Sequence, residues 1–233
     1  MSPRQRWRSY SAQVNHRIAI NHEHRFVFVR IPKNASTVIS LSLHQNITGE
    51  KVESASEAKK IAFNTPTSLG FRQVREVLAN YFKFSFLRNP YTRVLSAYLQ
   101  KISRGERGRK AKYKKMIHKR LRLSPEKEIS FAHFIRYLDQ GGIMDDPHWI
   151  PQSYYIDMVG LHQLDFVGRV ENLVPDLTDI YKRIFGSENF VLPEFKKKVT
   201  GAKDLLEEYY GPGERQILER LYAQDLEKFE SLQ

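Results

Sequence analysis

The sequence predicts an α/β fold in three layers: a mostly parallel sheet flanked by helices, with a phosphate-binding, P-loop-like loop after an early strand. Three stretches predict it. Phe26-Val27-Phe28-Val29 is a short aromatic and β-branched run that reads as a buried strand, and Ile39, Leu43 and Ile47 then recur at helical spacing. Phe82, Phe84 and Phe86 alternate as a second strand, and Val94, Leu95, Tyr98 and Leu99 give the helical face that follows. Asp165-Phe166-Val167-Gly168 is strand-like and precedes an amphipathic helix from Leu173 to Phe185, closed by Gly186. Strands alternating with helices are the signature of a parallel sheet covered on its faces.

Taken in order, residues 1–24 form an N-terminal arm ending in His22-Glu23-His24. That histidine spacing suits a metal, but the pair precedes the strand, opposite the end where open α/β sheets collect ligands, and no metal site is assigned. Residues 25–233 form one domain, the natural expectation for a chain of 233 residues. After the first strand, Pro32 ends the run, Lys33 sits in a tight loop, and Ser36-Thr37 open a helix. Such a loop aims backbone N–H groups and the positive end of a helix dipole at a phosphate or sulfate. It carries no glycine and its lysine comes several residues too early for G-x-x-x-x-G-K-[ST], which disfavours an ATPase. Residues 48–70 are polar and punctuated by Gly49, Pro66 and Gly70, and Val74, Val77 and Leu78 mark a brief helix before the second strand. At the end of that strand stand Arg88, the Asn89-Pro90 turn and, on the helix beyond, Ser96. Arg88 and Ser96 face one anion if the chain folds back at that turn; otherwise they are a surface arginine and a buried serine. Ile217, Leu218, Leu221, Tyr222, Leu226 and Phe229 make one long closing helix.

Composition narrows the function classes. At 41% hydrophobic and 12% aromatic residues the chain folds into a core. No apolar run approaches the length that crosses a membrane, and Arg4, Arg6, Trp7 and Arg8 leave no signal core. The absence of cysteine removes disulfides, thiolate catalysis and cysteine-ligated metal, so a soluble protein of a reducing cytoplasm is expected. The net charge of +12 is concentrated in one place: Lys101 to Arg122 holds eleven Lys/Arg against the single acid Glu106. The excess therefore belongs to a basic insertion at about 101–124 and not to the whole fold. Such a run is either a solvated face or a binding surface for an anionic acceptor.

Two segments resemble the nucleotide-binding motifs of sulfotransferases that use 3′-phosphoadenosine 5′-phosphosulfate (PAPS). Arg30-Ile31-Pro32-Lys33-Asn34-Ala35-Ser36-Thr37 is similar to the 5′-phosphosulfate loop, and Phe86-Leu87-Arg88-Asn89-Pro90-Tyr91-Thr92-Arg93-Val94-Leu95-Ser96-Ala97-Tyr98 to the 3′-phosphate segment. The chain looks like carbohydrate sulfotransferase family 2 in its bacterial, soluble form. The likeness continues through Phe131–Ile135, His148–Pro151, Phe166–Leu173 and Leu221–Asp225, and the basic segment is its clearest departure. The resemblance implies that Lys33, with Asn34, Ala35, Ser36 and Thr37, holds the 5′-phosphosulfate, and that Arg88 and Ser96 hold the 3′-phosphate. It implies sulfuryl transfer to a hydroxyl of a carbohydrate or glycolipid, with the product PAP and without a metal. Lys33 then neutralises or protonates the departing phosphate oxygen. His148, in the loop-like Asp145-Asp146-Pro147-His148-Trp149, is the first candidate for the base, because imidazole titrates near working pH; the alternative is that His148 and Trp149 only pack a loop. His133 is expected to be structural, His44 exposed, and Glu171 an orienting group or a plain cap. A nucleotide or small-molecule kinase with a divergent loop would explain the anion site but lacks Gly-Lys-Ser/Thr and a second carboxylate strand. A nucleic-acid-binding protein explains the charge alone, and no nucleic-acid partner is expected.

Overall fold

The computed structural model describes residues 16–52, 57–58, 63–104, 107–158, 164–187, 190–191 and 200–232. Strand β1 (Ile18–Asn21) pairs antiparallel with β2 (Phe26–Val29). β2, β3 (Phe82–Leu87) and β4 (Phe166–Arg169) run parallel, in the order β1-β2-β3-β4. The stretch expected to be an arm therefore contributes β1, burying Ile18, Ala19 and Ile20. Four residues bounded by Arg17 and His22 are too short for an alternation to be legible.

The described residues divide between two compact units, one within 16–87 and 154–191, the other within 88–153 and 200–231. In the first unit the aromatic faces of the central strands explain the layering. Phe26, Phe28, Phe84 and Phe86 pack with Ile39 and Leu43 of α1 (Ser36–Thr48) and with Leu177, Ile180 and Tyr181 of the helix Leu173–Phe185. Phe28 stacks on Phe84 across β2 and β3, with ring centroids 4.9 Å apart. On the opposite face Val27 and Val29 meet Val77 of α2 (Phe71–Asn80) and Tyr81. β2 is thus apolar on both sides, as a strand covered by helices should be, whereas β3 turns Lys83 and Ser85 to the face opposite its phenylalanines. Gly168 of β4 lies against the Phe86 ring, where a Cβ would come within 2.5 Å, so only glycine admits that ring.

The second unit is helical. α3 (Pro90–Tyr98), a π-turn (Leu99–Ser103), α4 (Arg107–Leu121) and α5 (Phe131–Asp139) surround Val94, Leu95, Leu99, Phe134, Leu138 and Trp149. The basic segment contributes to this core. Tyr113 and Ile117 of α4 are buried in this core, and Tyr113 packs edge-on to Trp149 at 5.4 Å. The single closing helix is in fact two, Pro212–Leu221 and Ala223–Glu230, broken at Tyr222. Tyr222 is buried and donates its hydroxyl to the Trp149 carbonyl at 2.5 Å, an anchor that the apolar periodicity cannot reveal. His44, expected to be exposed, is fully buried, because Ile39 to His44 of α1 are all enclosed. Its Nε2 lies 3.3 Å from the Thr48 hydroxyl one turn on. Among the described residues no helix is long and apolar enough to cross a membrane.

Candidate active site

The loop after β2 is built under strain. Lys33 and Ala35 both hold positive φ, 72° and 53°, a region that costs non-glycine residues of order 1–3 kcal/mol each. Alternating left-handed residues turn successive backbone N–H groups toward a common concavity, the arrangement of anion nests. Ala35, and not Ser36, is the N-cap of α1, and no side chain caps it. A thirteen-residue helix thus presents its first-turn amides without a side-chain acceptor, in the way a phosphate cradle requires. Asn34 is buried and donates its Nδ2 to the Phe86 carbonyl at 2.7 Å, tying the loop to the carboxyl end of β3. Ser85 donates to the Val29 carbonyl at 2.9 Å and ties the same two strands one residue earlier. Lys33, Ser36 and Thr37 are half-buried.

Arg30, quoted in the motif but given no role from sequence, is 3% exposed at the root of this loop. Its Nη2 donates to the Ile18 carbonyl at 3.3 Å, while Nε and Nη1 have no hydrogen-bond partner. Burial, and then the nearby charge of Arg17, lower its pKa to about 10, which leaves the guanidinium charged at neutral pH. This charge adds to the positive field at the strand ends. A strand-terminal arginine in an aromatic run was the only signal available for it.

The second motif lies in the other unit, beginning at the residue after β3. Asn89 caps α3, its Oδ1 accepting from the backbone N–H of Tyr91 at 3.0 Å and of Thr92 at 3.4 Å, with Pro90 in the first turn. Arg88 folds back over that cap and donates Nε to the Thr92 hydroxyl at 3.0 Å. Ser96 stands one turn beyond Thr92 on the same helix face. Arg88, Thr92 and Ser96 therefore form one row, with the chain folded back at the Asn-Pro turn. Ser96 is buried beneath Thr200, whose hydroxyl donates to it at 3.1 Å, and Arg104 in turn donates to the Thr200 carbonyl at 3.1 Å. Thr92 and Thr200 were missed because hydroxyl residues carry no spacing signal. Lys196-Lys197-Lys198 lies outside the described residues.

His148 is in the same unit as Arg88, and it contacts a buried carboxylate. Its Nδ1 lies 2.5 Å from Asp146 Oδ1, which also accepts the His148 backbone N–H at 3.0 Å. The other carboxylate oxygen accepts the Tyr113 hydroxyl at 3.0 Å. Burial pushes the Asp146 carboxyl up, but the hydrogen bonds and charge of His148 and the bond from Tyr113 outweigh it, and the pKa is lowered. An ionised Asp146 places the imidazole proton on Nδ1 and leaves the Nε2 lone pair to accept one. Trp149 beside it is structural, buried, with Nε1 donating to the Gly142 carbonyl at 2.9 Å. His133 is structural as expected, its Nδ1 completing a reciprocal cap with Ser130. His22 bonds the Tyr81 hydroxyl at 2.8 Å and His24 packs edge-on to Phe185. Among the described residues no cluster of His, Cys, Asp or Glu is arranged to hold a metal.

The model of the sulfotransferase family known as Sulfotransfer_2 matches residues 16–230. The chain belongs to this family. Its relatives include carbohydrate sulfotransferase 14 of Danio rerio, 29% identical over 192 residues, covering 76% of this chain and 50% of that protein. The human carbohydrate sulfotransferase 14 is 30% identical over 177 residues, 70% of this chain and 45% of its own. Carbohydrate sulfotransferase 10 of Xenopus laevis is 24% identical over 229 residues, 89% and 64%. The chain spans about half the length of the first of these curated relatives. No solved structure matches it. This member of the family carries an uncapped strand-to-helix loop with two left-handed residues and, in its second unit, an arginine–hydroxyl row.

Proposed function

We propose that this sulfotransferase moves a sulfuryl group from PAPS to a carbohydrate hydroxyl. Two observations support the reading, each within its own unit: an uncapped, glycine-free loop bearing Lys33 in the first, and the Arg88–Thr92–Ser96 row in the second; PAPS has a charged group suited to each. The amides of Asn34, Ala35, Ser36 and Thr37, with the Ser36 and Thr37 hydroxyls, hold the 5′-phosphosulfate, and Arg88 and Ser96 hold the 3′-phosphate. Thr200, whose hydroxyl now rests on Ser96, turns to that phosphate as a further donor.

In the reaction the acceptor oxygen bonds to sulfur as the bond from sulfur to the 5′-phosphate oxygen breaks. Lys33 neutralises or protonates the departing oxygen, where negative charge grows. Nε2 of His148 takes the acceptor proton, with Asp146 holding the ring. Positioning and electrostatic stabilisation provide most of the acceleration, as in phosphoryl transfer. The chemistry assigns no step to a metal. The carbohydrate sulfotransferases named above support a glycan acceptor, a glycolipid being one form of it. The exposed lysines of α4 suit an anionic acceptor. The lack of cysteine fits a reducing compartment such as the cytoplasm.

Thermal shift with PAP, ADP and ATP, with and without magnesium, tests the reading. PAP is expected to raise the melting temperature without magnesium and well beyond ADP. Arg88→Ala should remove most of that difference, since a charge-assisted contact is worth about 1.5–3 kcal/mol. Equal shifts for PAP and ADP would leave no basis for a PAPS enzyme. A magnesium-dependent preference for ATP would favour a kinase.

A further inference from the structure

Arg88 is held by more than its side chain. Its backbone N–H donates to Gln152 Oε1 at 2.9 Å, and Gln152 Nε2 donates to the Arg88 carbonyl at 2.9 Å. One side-chain amide thus exchanges both hydrogen bonds with a single residue, as a neighbouring strand would. It does so at the residue that follows the last ladder position of β3. Gln152 is fully buried and begins the helix Gln152–Met158. The start of that helix is fixed in turn by Asp225, 1% exposed, on the helix Ala223–Glu230. The Asp225 carboxylate accepts the backbone N–H of Gln152 at 2.7 Å and of Ser153 at 2.8 Å. Three residues earlier on each side, Tyr222 donates to the Trp149 carbonyl, so two bonds at matching spacing clamp residues 149–153 to the closing helices.

We propose that Gln152, itself anchored by Asp225, is a positioning residue that aims Arg88 at the 3′-phosphate. This rests on the proposed use of PAPS. The physical argument is one of backbone direction. With both main-chain groups of Arg88 bonded to one rigid amide, its φ and ψ are set, and the side chain is delivered over the α3 cap to Thr92. Packing alone does not call for glutamine at a fully enclosed position, since an aliphatic residue of the same length fills the volume without two polar atoms to satisfy. The buried side-chain amide has both its oxygen and its nitrogen bonded to Arg88, while Asp225 holds the Gln152 backbone N–H.

The test measures PAP and ADP affinities of the full chain by calorimetry, together with kcat and KM for PAPS. Gln152→Met keeps the volume and removes both bonds. It should weaken PAP binding by about 10- to 100-fold, the range expected for one misaimed charged contact, while ADP affinity is unchanged. In an Arg88→Ala background the same substitution should leave the PAP-to-ADP ratio where Arg88→Ala put it. A folded Gln152→Met with the native ratio overturns the proposal, as does an equal loss for PAP and ADP or full additivity with Arg88→Ala. If Gln152→Met does not fold, Gln152→Glu, which keeps the acceptor for the Arg88 N–H and loses the donor, decides by the same criteria. A wild-type chain that binds PAP no better than ADP removes the PAPS reading itself, an outcome distinct from a native ratio in the Gln152 variants.

Discussion

Asn34→Ala separates the two halves of the proposed nucleotide site. Asn34 is 1% exposed and spends its Nδ2 on the Phe86 carbonyl at 2.7 Å, the bond that fastens the strained loop to β3. Removing the side chain leaves that carbonyl without its donor and opens a small void beside it. Orphaning a buried acceptor costs about 1–3 kcal/mol. For a chain of this size each kcal/mol lowers the melting temperature by about 2–4 °C, so a fall of roughly 2–12 °C is expected. The loop also holds Lys33 and Ala35 at positive φ, and with the tie cut it relaxes toward ordinary dihedrals, scattering the amides that face the 5′-phosphate. PAP and ADP both carry a 5′-phosphate, which ADP extends by a second phosphate, and only PAP has the 3′-phosphate that Arg88 and Ser96 are proposed to hold. Calorimetric titration of the folded variant should therefore show both ligands weakened, PAP no more than ADP. A variant that loses PAP affinity alone, or that binds both ligands as the native chain does, would refute this division of labour.

Lys33→Ala should lower turnover by several orders of magnitude with only a modest loss of PAP affinity, because its charge matters most as the leaving oxygen becomes negative; a raised Michaelis constant with intact turnover, in steady-state assays, would reduce Lys33 to a binding residue. Asp146 has a lowered pKa in the fold, so the unfolded chain binds its proton more readily; the stability it contributes is present above the ordinary carboxylate range and is lost as pH falls through that range and below. Urea titrations at stepped pH should show this loss in the native chain and a smaller one in Asp146→Asn, whereas parallel curves would contradict the assignment. Substituting Lys112, Lys115 and Lys119, exposed on α4, by Gln should weaken acceptor use and flatten its salt dependence while PAP affinity stays within about twofold. Lys114 is left in place because it is 2.9 Å from Glu128; unchanged acceptor kinetics and salt slope would make the lysines a solvated face.

Much of this protein is legible in the chain because the information is local. Phe82, Phe84 and Phe86 alternate at the period of a strand, Asn89-Pro90 spells a capped helix start, and Gly186 ends the helix Leu173–Phe185 at φ 67°. Each depends only on neighbours within a turn or a pleat, so residue order suffices. The order of strand, lysine-bearing loop and helix was legible, but the backbone conformation of the loop was not. Left-handed dihedrals at Lys33 and Ala35 are imposed by tertiary ties such as Asn34 to Phe86, which are 52 residues apart. Glycine would have announced them; lysine and alanine do not. The same holds for His44, enclosed by helix packing that no single helical wheel contains, and for β1, which is too short to show a period. The fate of the basic segment was decided by Tyr113 and Ile117, whose burial among residues from α3, α5 and the 149 loop turns a charged run into part of a core. Asp146 with His148 sits two residues apart and was within reach of sequence. Gln152 with Arg88, and Asp225 with Gln152, are 64 and 73 residues apart and were not. Hydrogen bonds between distant buried polar groups leave no periodic trace, because any polar residue can make them and only the folded backbone selects which one does.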